Sequence, residues 1–446
     1  MLLDIIKSNI PFQPYINTGT LFDYATGKFR QGIDGRWLLD GGFSPCNGIA
    51  GRAQTFKSSL ALSFLAGAMS IHPHAECFAY ETENAYGVER FNDLVPKDHP
   101  ISDRIVFKNS TVCSLSDFYE EYTKITEEKM SHKKDYLVES PFIDPRSCKP
   151  CKIWIPTFVI IDSYSRARSD KGDQQYLTNS VDDSGMNTLW LSEGNVKTRI
   201  MSDLPNRAAK AGLYVILTAH VGDKKDLDPY NKAPKQLQYM KNMDRLKNVG
   251  SNFEFLVTSL LQTIKAETML DSNKQCEYPN AYSTNVEVNK VDTTLVRCKN
   301  NSSGMQMSFV VSQYQGILNS VTNFLFLKSN KAYGLDVTGN NTSFTPKLYN
   351  KSFTRKTIRD LTDKDYALYR ALELTAQLCF IQKLWNTSRA PEYVHMPVNT
   401  FAEKVATCKS YTADRILQST GVWSTSKQER ERLTIMDILS ILASEK

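Results

Sequence analysis

The chain lacks any apolar run approaching the roughly 18 residues that a membrane span requires, and its opening, MLLDIIKSNIPF, carries no basic leader. A soluble, cytoplasmic protein with no membrane partner is therefore expected. Internal repeats and low-complexity tracts are also missing, which excludes a solenoid or a linker-like chain. No large excess of one charge is present: 54 Lys and Arg stand against 48 Asp and Glu, a formal net charge of +6. Any nucleic-acid role must then rest on where the basic residues sit, not on their total. The nine cysteines are scattered through apolar surroundings, as at Cys77, Cys113 and Cys379, the pattern of reduced thiols and not of a secreted disulfide framework. Cys148 and Cys151, in SCKPC, have half the ligands of a zinc site, and no second pair lies nearby, so a plain loop is the reading there.

What is present suits a globular protein. Hydrophobic residues make up 41% and charged residues 23% of the 446, enough for a packed core. Single cores rarely grow past about 250 to 300 residues, so two domains are expected. We place an N-terminal lead-in and oligomerisation segment at 1–45, an α/β core at 46–335 and a helical C-terminal domain at 345–446.

Within the core the pattern is regular. A short apolar strand ends at Ile49 and Ala50, a Gly-led loop starts at Gly51, and Ser58 to Met69 reads as a helix of small residues. ECFAYE (76–81) is a second strand and residues 114–130 a helix ending near His132. Residues 131–156 lose periodicity and gather Pro and Lys, which predicts an inserted surface loop. TFVIID (157–162) and LYVILTAH (213–220) are apolar strands suited to a parallel sheet covered on both faces, with 185–211 as the crossover helix. TTLVRC (293–298), QMSFVVSQY (306–314) and NFLFLK (323–328) read as later, antiparallel edge strands. From Tyr366 onward the apolar spacing turns helical.

The strongest chemical signal is GRAQTFKS: Gly51, Arg52, Ala53, Gln54, Thr55, Phe56, Lys57 and Ser58, followed by Ser59 and set between a strand and a helix. Backbone amides and a helix N-terminus can hold phosphates there, with Lys57 reaching the β and γ oxygens and the Ser58 hydroxyl on Mg²⁺. The usual glycine before the lysine is replaced by Phe56. Asp162, at a strand end, can hold Mg²⁺ through water, although an aspartate there also serves as an ordinary turn cap.

The order INTGTLFDYATG, GRAQTFKS, FAYETENAYG, TFVIIDS and VILTAH resembles the core of RecA-type recombinases, and Phe56 before the lysine is similar to phage recombinases of the UvsX type. The resemblance covers roughly residues 15–330. It implies a RecA-like P-loop core with a mostly parallel central sheet flanked by helices, binding ATP and Mg²⁺. It also implies that Glu83 activates the attacking water, with Glu81 standing where the family usually has Asp. His220 would sense the γ-phosphate. Taken alone, Glu81 and Glu83 would be ordinary surface acids and His220 a structural residue.

In the resembling family the loops after these strands touch DNA. Here they span about 163–184, with Arg166, Arg168 and Lys171, and about 221–250, with Lys224, Lys225, Lys232, Lys235, Lys241, Arg245 and Lys247 interleaved with Tyr230 and Tyr239. Basic groups neutralise phosphates and aromatic faces stack on bases. Asp223, Asp226, Asp228 and Asp244 leave a plain solvated loop as the other reading. Arg297 and Lys299 resemble the family's basic residues that reach a neighbour's γ-phosphate, or are edge-strand charges. Lys347, Lys351, Arg355, Lys356 and Arg359 could gather duplex DNA or be a solvated linker. The implied function is an ATP-dependent strand-exchange recombinase forming filaments on single-stranded DNA and pairing it with double-stranded DNA, served by single-strand-binding and loader proteins. A hexameric replicative helicase is the nearest alternative, although about 45 residues before the loop leave little room for its partner-binding domain. A non-hydrolysing scaffold with a degenerate loop is the other.

Overall fold

The computed structural model describes residues 12–95, 99–144, 147–170, 185–223, 235–250 and 252–445, with the backbone alone at 185–192. Its fold is mixed α/β. After the short helix α1 (Leu21–Thr26) and the hairpin β1 (Lys28–Gln31) with β2 (Trp37–Asp40), the chain enters the central sheet at β3 (Cys46–Gly51) and leaves it into helix α2 (Lys57–Ile71). Next come β4 (Glu76–Glu81) and β5 (Ile105–Asn109). The helix Leu115–Ser131 follows, closed at its N-terminus by a reciprocal Ser114–Asp117 capping box.

Residues 131–156 do not form the expected surface loop. They make a hairpin, β6 (Leu137–Ile143) with β7 (Pro150–Trp154). Pro150 is the first residue of its strand and Pro141 lies in the register shift between Glu139 and Ile143, the positions where a sheet tolerates a missing N–H. Just past the hairpin, buried Lys129 fastens the entry to the next strand, donating to Ile155 O at 2.7 Å and Thr157 Oγ1 at 2.9 Å.

The chain then runs through β8 (Thr157–Asp162), the crossover helix Gly185–Ala211, β9 (Leu213–Asp223), β10 (Asp244–Leu246), β11 (Ser259–Thr268), β12 (Val288–Cys298), β13 (Met305–Ser312) and β14 (Gly316–Ile317). Strand order is β14-β13-β12-β11-β3-β9-β8-β4-β5, with β10 paired to β9. From β11 to β5 every neighbour is parallel, whereas β11 to β14 are antiparallel. NFLFLK is not a strand but part of the helix Asn319–Ser329.

Burial explains the apolar runs. In β8, Phe158 and Ile160 enter one hydrophobic cluster and Val159 and Ile161 the other, so both faces of the sheet are covered. Each such side chain contributes roughly 1.5–3 kcal/mol of burial. One face is packed by α2 and the C-terminal helices, through residues such as Phe64, Phe324, Leu372 and Ile438. The helices Leu115–Ser131 and Gly185–Ala211 pack the other, through Phe118, Tyr122 and Leu204.

The C-terminal region holds a three-stranded sheet, β15 (Leu335–Thr338), β16 (Ser343–Pro346) and β17 (Phe353–Thr354), then helices including Tyr366–Leu384 and Ile435–Ser444. Its last helix is tied to β2 by Trp37 N donating to Asp437 Oδ1 at 2.6 Å. The basic run at its entry is not an open patch. Lys347, Lys351, Arg355 and Lys356 pair with Asp336, Asp365, Glu277 and Asp271, and Arg359, 3% exposed, pairs with Glu287 at 3.0 Å. Among the described residues no helix is long and apolar enough to cross a membrane.

Candidate nucleotide and nucleic-acid site

The parallel strands end together, and the candidate residues sit at that edge. Gly51 lies opposite His220 on β9, and Glu81 opposite Asp162 on β8. A Cβ on Gly51 would lie 1.9 Å from Thr263 Oγ1 and 2.6 Å from Thr55 Oγ1, so only glycine lets the loop turn here. Thr55 and Thr263 hydroxyls meet at 2.6 Å and pin the loop to β11.

Phe56 stands where a phosphate loop usually has glycine, and it takes the left-handed conformation glycine would supply, with φ 61°. That costs a non-glycine residue about 1–2 kcal/mol, which packing of its ring against the core offsets. The loop therefore keeps its turn without the glycine. No side chain caps α2, so its first amides remain open at the positive end of the helix. Lys57 is 9% exposed and makes no hydrogen bond or ion pair with any described residue. An anion at the α2 N-terminus would meet this side chain and the open amides together.

Asp162 is buried beside this lysine's neighbour. Its Oδ1 accepts from Ser58 Oγ at 3.1 Å and from the Thr218 hydroxyl, and its Oδ2 from Tyr86 OH at 3.3 Å. An aligned hydroxyl and carboxylate form an oxygen donor pair of the kind a divalent magnesium ion takes.

Glu81 and Glu83 differ sharply. Glu81 is buried and accepts from the Glu83 amide at 2.8 Å and the Ala85 amide at 3.1 Å, so it shapes the turn; burial and the charge of Asp162 push its carboxyl up. Glu83 faces the cleft. Its Oε1 lies 2.7 Å from His220 Nε2, 3.1 Å from Ser163 Oγ and 3.9 Å from Arg166 Nε. Partial burial pushes its carboxyl up, but the His220 hydrogen bond and the charge of Lys57 outweigh it and hold the group below its ordinary value.

His220 also connects this edge to the basic segments. Its amide donates to Ser165 Oγ at 2.9 Å, and Ser165 Oγ donates to Lys247 O at 2.8 Å. Buried Lys197 donates to Ser165 O at 3.1 Å and Asn248 O at 2.9 Å, and burial pushes its ammonium down to about 8. The bases of both loops are thus fastened to one another.

Among the described residues no metal-holding His, Cys, Asp and Glu cluster is found, and Cys148 and Cys151 are free thiols. Among solved structures, one titled "Crystal structure of the RadB recombinase" superposes with a TM-score of 0.35 and 12% identity, over 62% of this chain and 92% of that one. That likeness carries no argument. No family model and no curated protein matches the chain.

The remaining candidates divide in two. Arg166, Arg168, Lys235, Lys241 and Arg245 are exposed, as is Tyr239, whose ring lies against Gly304. Lys171, Lys224, Lys225, Lys232 and Tyr230 lie outside the described residues. Arg297 and Lys299 are not brought to the phosphate loop. Arg297 pairs in register with Leu260, which faces Gly48, so it sits toward the opposite edge of the sheet, donating to Val257 O at 3.1 Å and Phe255 O at 3.2 Å. Sequence reasoning missed Thr218, Tyr86, Thr263 and Ser165. Thr218 alone had a local signal, since it stands two residues before His220 and strand side chains repeat every second residue.

Proposed function

We propose that this chain is a RecA-like recombinase: an ATPase that assembles on single-stranded DNA and pairs it with a homologous duplex. The observation that carries this reading is the buried, unpartnered Lys57 at an uncapped helix N-terminus, with the Ser58–Asp162 pair and the Glu83–His220 pair beside it. Lys57 and the amides of residues 52–58 would hold ATP phosphates, and Ser58 with Asp162 would hold Mg²⁺. The metal, when bound, neutralises charge on the phosphate oxygens.

Glu83 is suited to orient a water for attack on the terminal phosphate, because it faces the cleft with its Oε1 held by His220 and Ser163. His220 shares that carboxylate, so a terminal phosphate that draws His220 away would free Glu83 and shift Ser165 and Lys247 with it. Arg166, Arg168, Lys235, Lys241 and Arg245 would meet DNA phosphates, with Tyr239 as a stacking face. In a filament, Arg297 and Lys299, which lie away from their own loop, would reach a neighbour's ATP.

The test is ATP hydrolysis with and without single-stranded DNA, in the unaltered protein and in Lys57→Ala. DNA-stimulated hydrolysis that Lys57→Ala abolishes is expected. Hydrolysis that neither DNA nor Lys57→Ala alters would leave the scaffold reading standing. Electron micrographs with an ATP analogue and single-stranded DNA should show helical filaments; closed rings would favour the helicase.

A further inference from the structure

Asp162, at the end of β8, is the carboxylate to which the Ser58 hydroxyl donates, and the turn that follows β4 is closed on it at both ends. At the near end Thr82 N donates to Asp162 O at 2.8 Å, and Ser163 N donates to Thr82 Oγ1 at 2.8 Å. At the far end Tyr86 OH donates to Asp162 Oδ2 at 3.3 Å. Between them Asn84 takes the left-handed conformation, φ 54°, and the buried Glu81 carboxylate gathers the amides of Glu83 and Ala85. Glu83 is therefore carried on a turn whose two ends both rest on Asp162.

Tyr86 is itself fixed from behind. Its ring lies against Phe91 and, on β5, Phe107, with centroids 6.2 Å and 6.0 Å away. The Asp162 carboxylate is met on Oδ1 by Ser58 and Thr218 and on Oδ2 by Tyr86. The last torsion of an aspartate is broad, so hydroxyls on both oxygens are what hold Oδ1 toward Ser58.

We propose that Tyr86 is a positioning residue that locks the carboxylate of Asp162 to the turn carrying Glu83, so that metal binding and the placing of the attacking water depend on one phenol hydroxyl. The inference rests on the ATP and Mg²⁺ reading above and deepens it by naming the group that orients the site from behind. Outer partners of this kind set a metal-binding oxygen before the metal arrives, and losing one typically costs about 10- to 100-fold in metal affinity.

The experiment titrates Mg²⁺ against a fluorescent, non-hydrolysable ATP analogue in the full chain, unaltered and as Tyr86→Phe. The readout is the Mg²⁺ concentration at half-maximal binding. Phenylalanine keeps a ring against Phe91 and Phe107 and removes the hydroxyl alone, so the melting temperature should hold. In Tyr86→Phe the midpoint should rise about tenfold, the lower end of that range because the bond is long, while analogue affinity without metal stays within about twofold. Manganese affinity, read by electron paramagnetic resonance with the analogue bound, should weaken by the same factor. Phosphate release from ATP at saturating Mg²⁺ should fall by about 3- to 10-fold, the worth of one hydrogen bond that no longer holds the Glu83 turn. A midpoint that does not move in Tyr86→Phe would overturn the inference, as would a raised midpoint with hydrolysis unchanged. Equal weakening with and without metal, the sign of a merely structural role, would overturn it too. Analogue binding in the unaltered protein that ignores Mg²⁺ altogether would instead remove the reading on which the inference stands.

Discussion

The two ends of the parallel strands differ in a way that their shared sheet does not require. At the ends of β3, β4, β8 and β9, acids and bases are interleaved: Lys57 acts on Glu83, His220 shares Glu83, and Ser58, Thr218 and Tyr86 surround Asp162. At the other end Arg297 is met by backbone carbonyls, and burial and then the charge of Arg297 push the ammonium of Lys299 down. One end is a nearly complete site short of an anion. The other holds positive charge already met by backbone carbonyls, which teaches that the gathering of side chains of both signs belongs to the loops leaving the parallel strands and not to the sheet.

The largest break in this comparison should come from Glu83→Gln, which leaves the cleft's shape but removes its base. Hydrolysis should fall by about 10²- to 10⁴-fold with nucleotide affinity largely kept, measured by phosphate release beside analogue binding. Lys57→Ala should cost about 10²- to 10³-fold in hydrolysis and weaken binding as well. Mixing equal amounts of Lys57→Ala and Arg297→Ala proteins, each inactive alone, should recover up to about a quarter of the unaltered rate if opposite ends meet head to tail. No recovery at all would place Arg297 outside the site.

Smaller effects sharpen the same contrast. Because the Glu83 carboxyl is held below its ordinary value, the unfolded chain binds its proton more readily. The stability it adds is complete above the ordinary carboxylate pKa and is lost as pH falls through the depressed one. Glu83→Gln should therefore flatten the fall in melting temperature between about pH 5 and 3, by less than about 1 kcal/mol for this partly exposed group. Phe56→Gly should change stability by less than about 1 kcal/mol, relief of the left-handed strain offsetting lost packing, and nucleotide affinity should move by no more than about threefold.

These features were unequally legible in the sequence. TFVIID and LYVILTAH could be read because buried parallel strands admit apolar residues on both faces and stop where a polar group is needed, and the structure follows them almost residue for residue. NFLFLK misled for the same reason. A short apolar run has no readable period, and only Val321, Phe324 and Leu327 together, all fully buried, mark the helical face. The hairpin β6–β7 was hidden by prolines that are harmless where they fall. The pairing of Arg52 with Asp223 and Asp244 could not be read at all, since those partners lie 171 and 192 residues away and only the fold brings them within reach.

Strand β11 has a parallel neighbour on one side and an antiparallel neighbour on the other. Its Ser259 lies beside Cys298, next to Arg297, and its Thr263 forms the wall behind Gly51. The two ends contrasted above are thus four residues apart on a single rod, about 13 Å at the rise of an extended chain. A shift at Ser259 would have four residues of one strand to cross before reaching the threonine that fixes the loop.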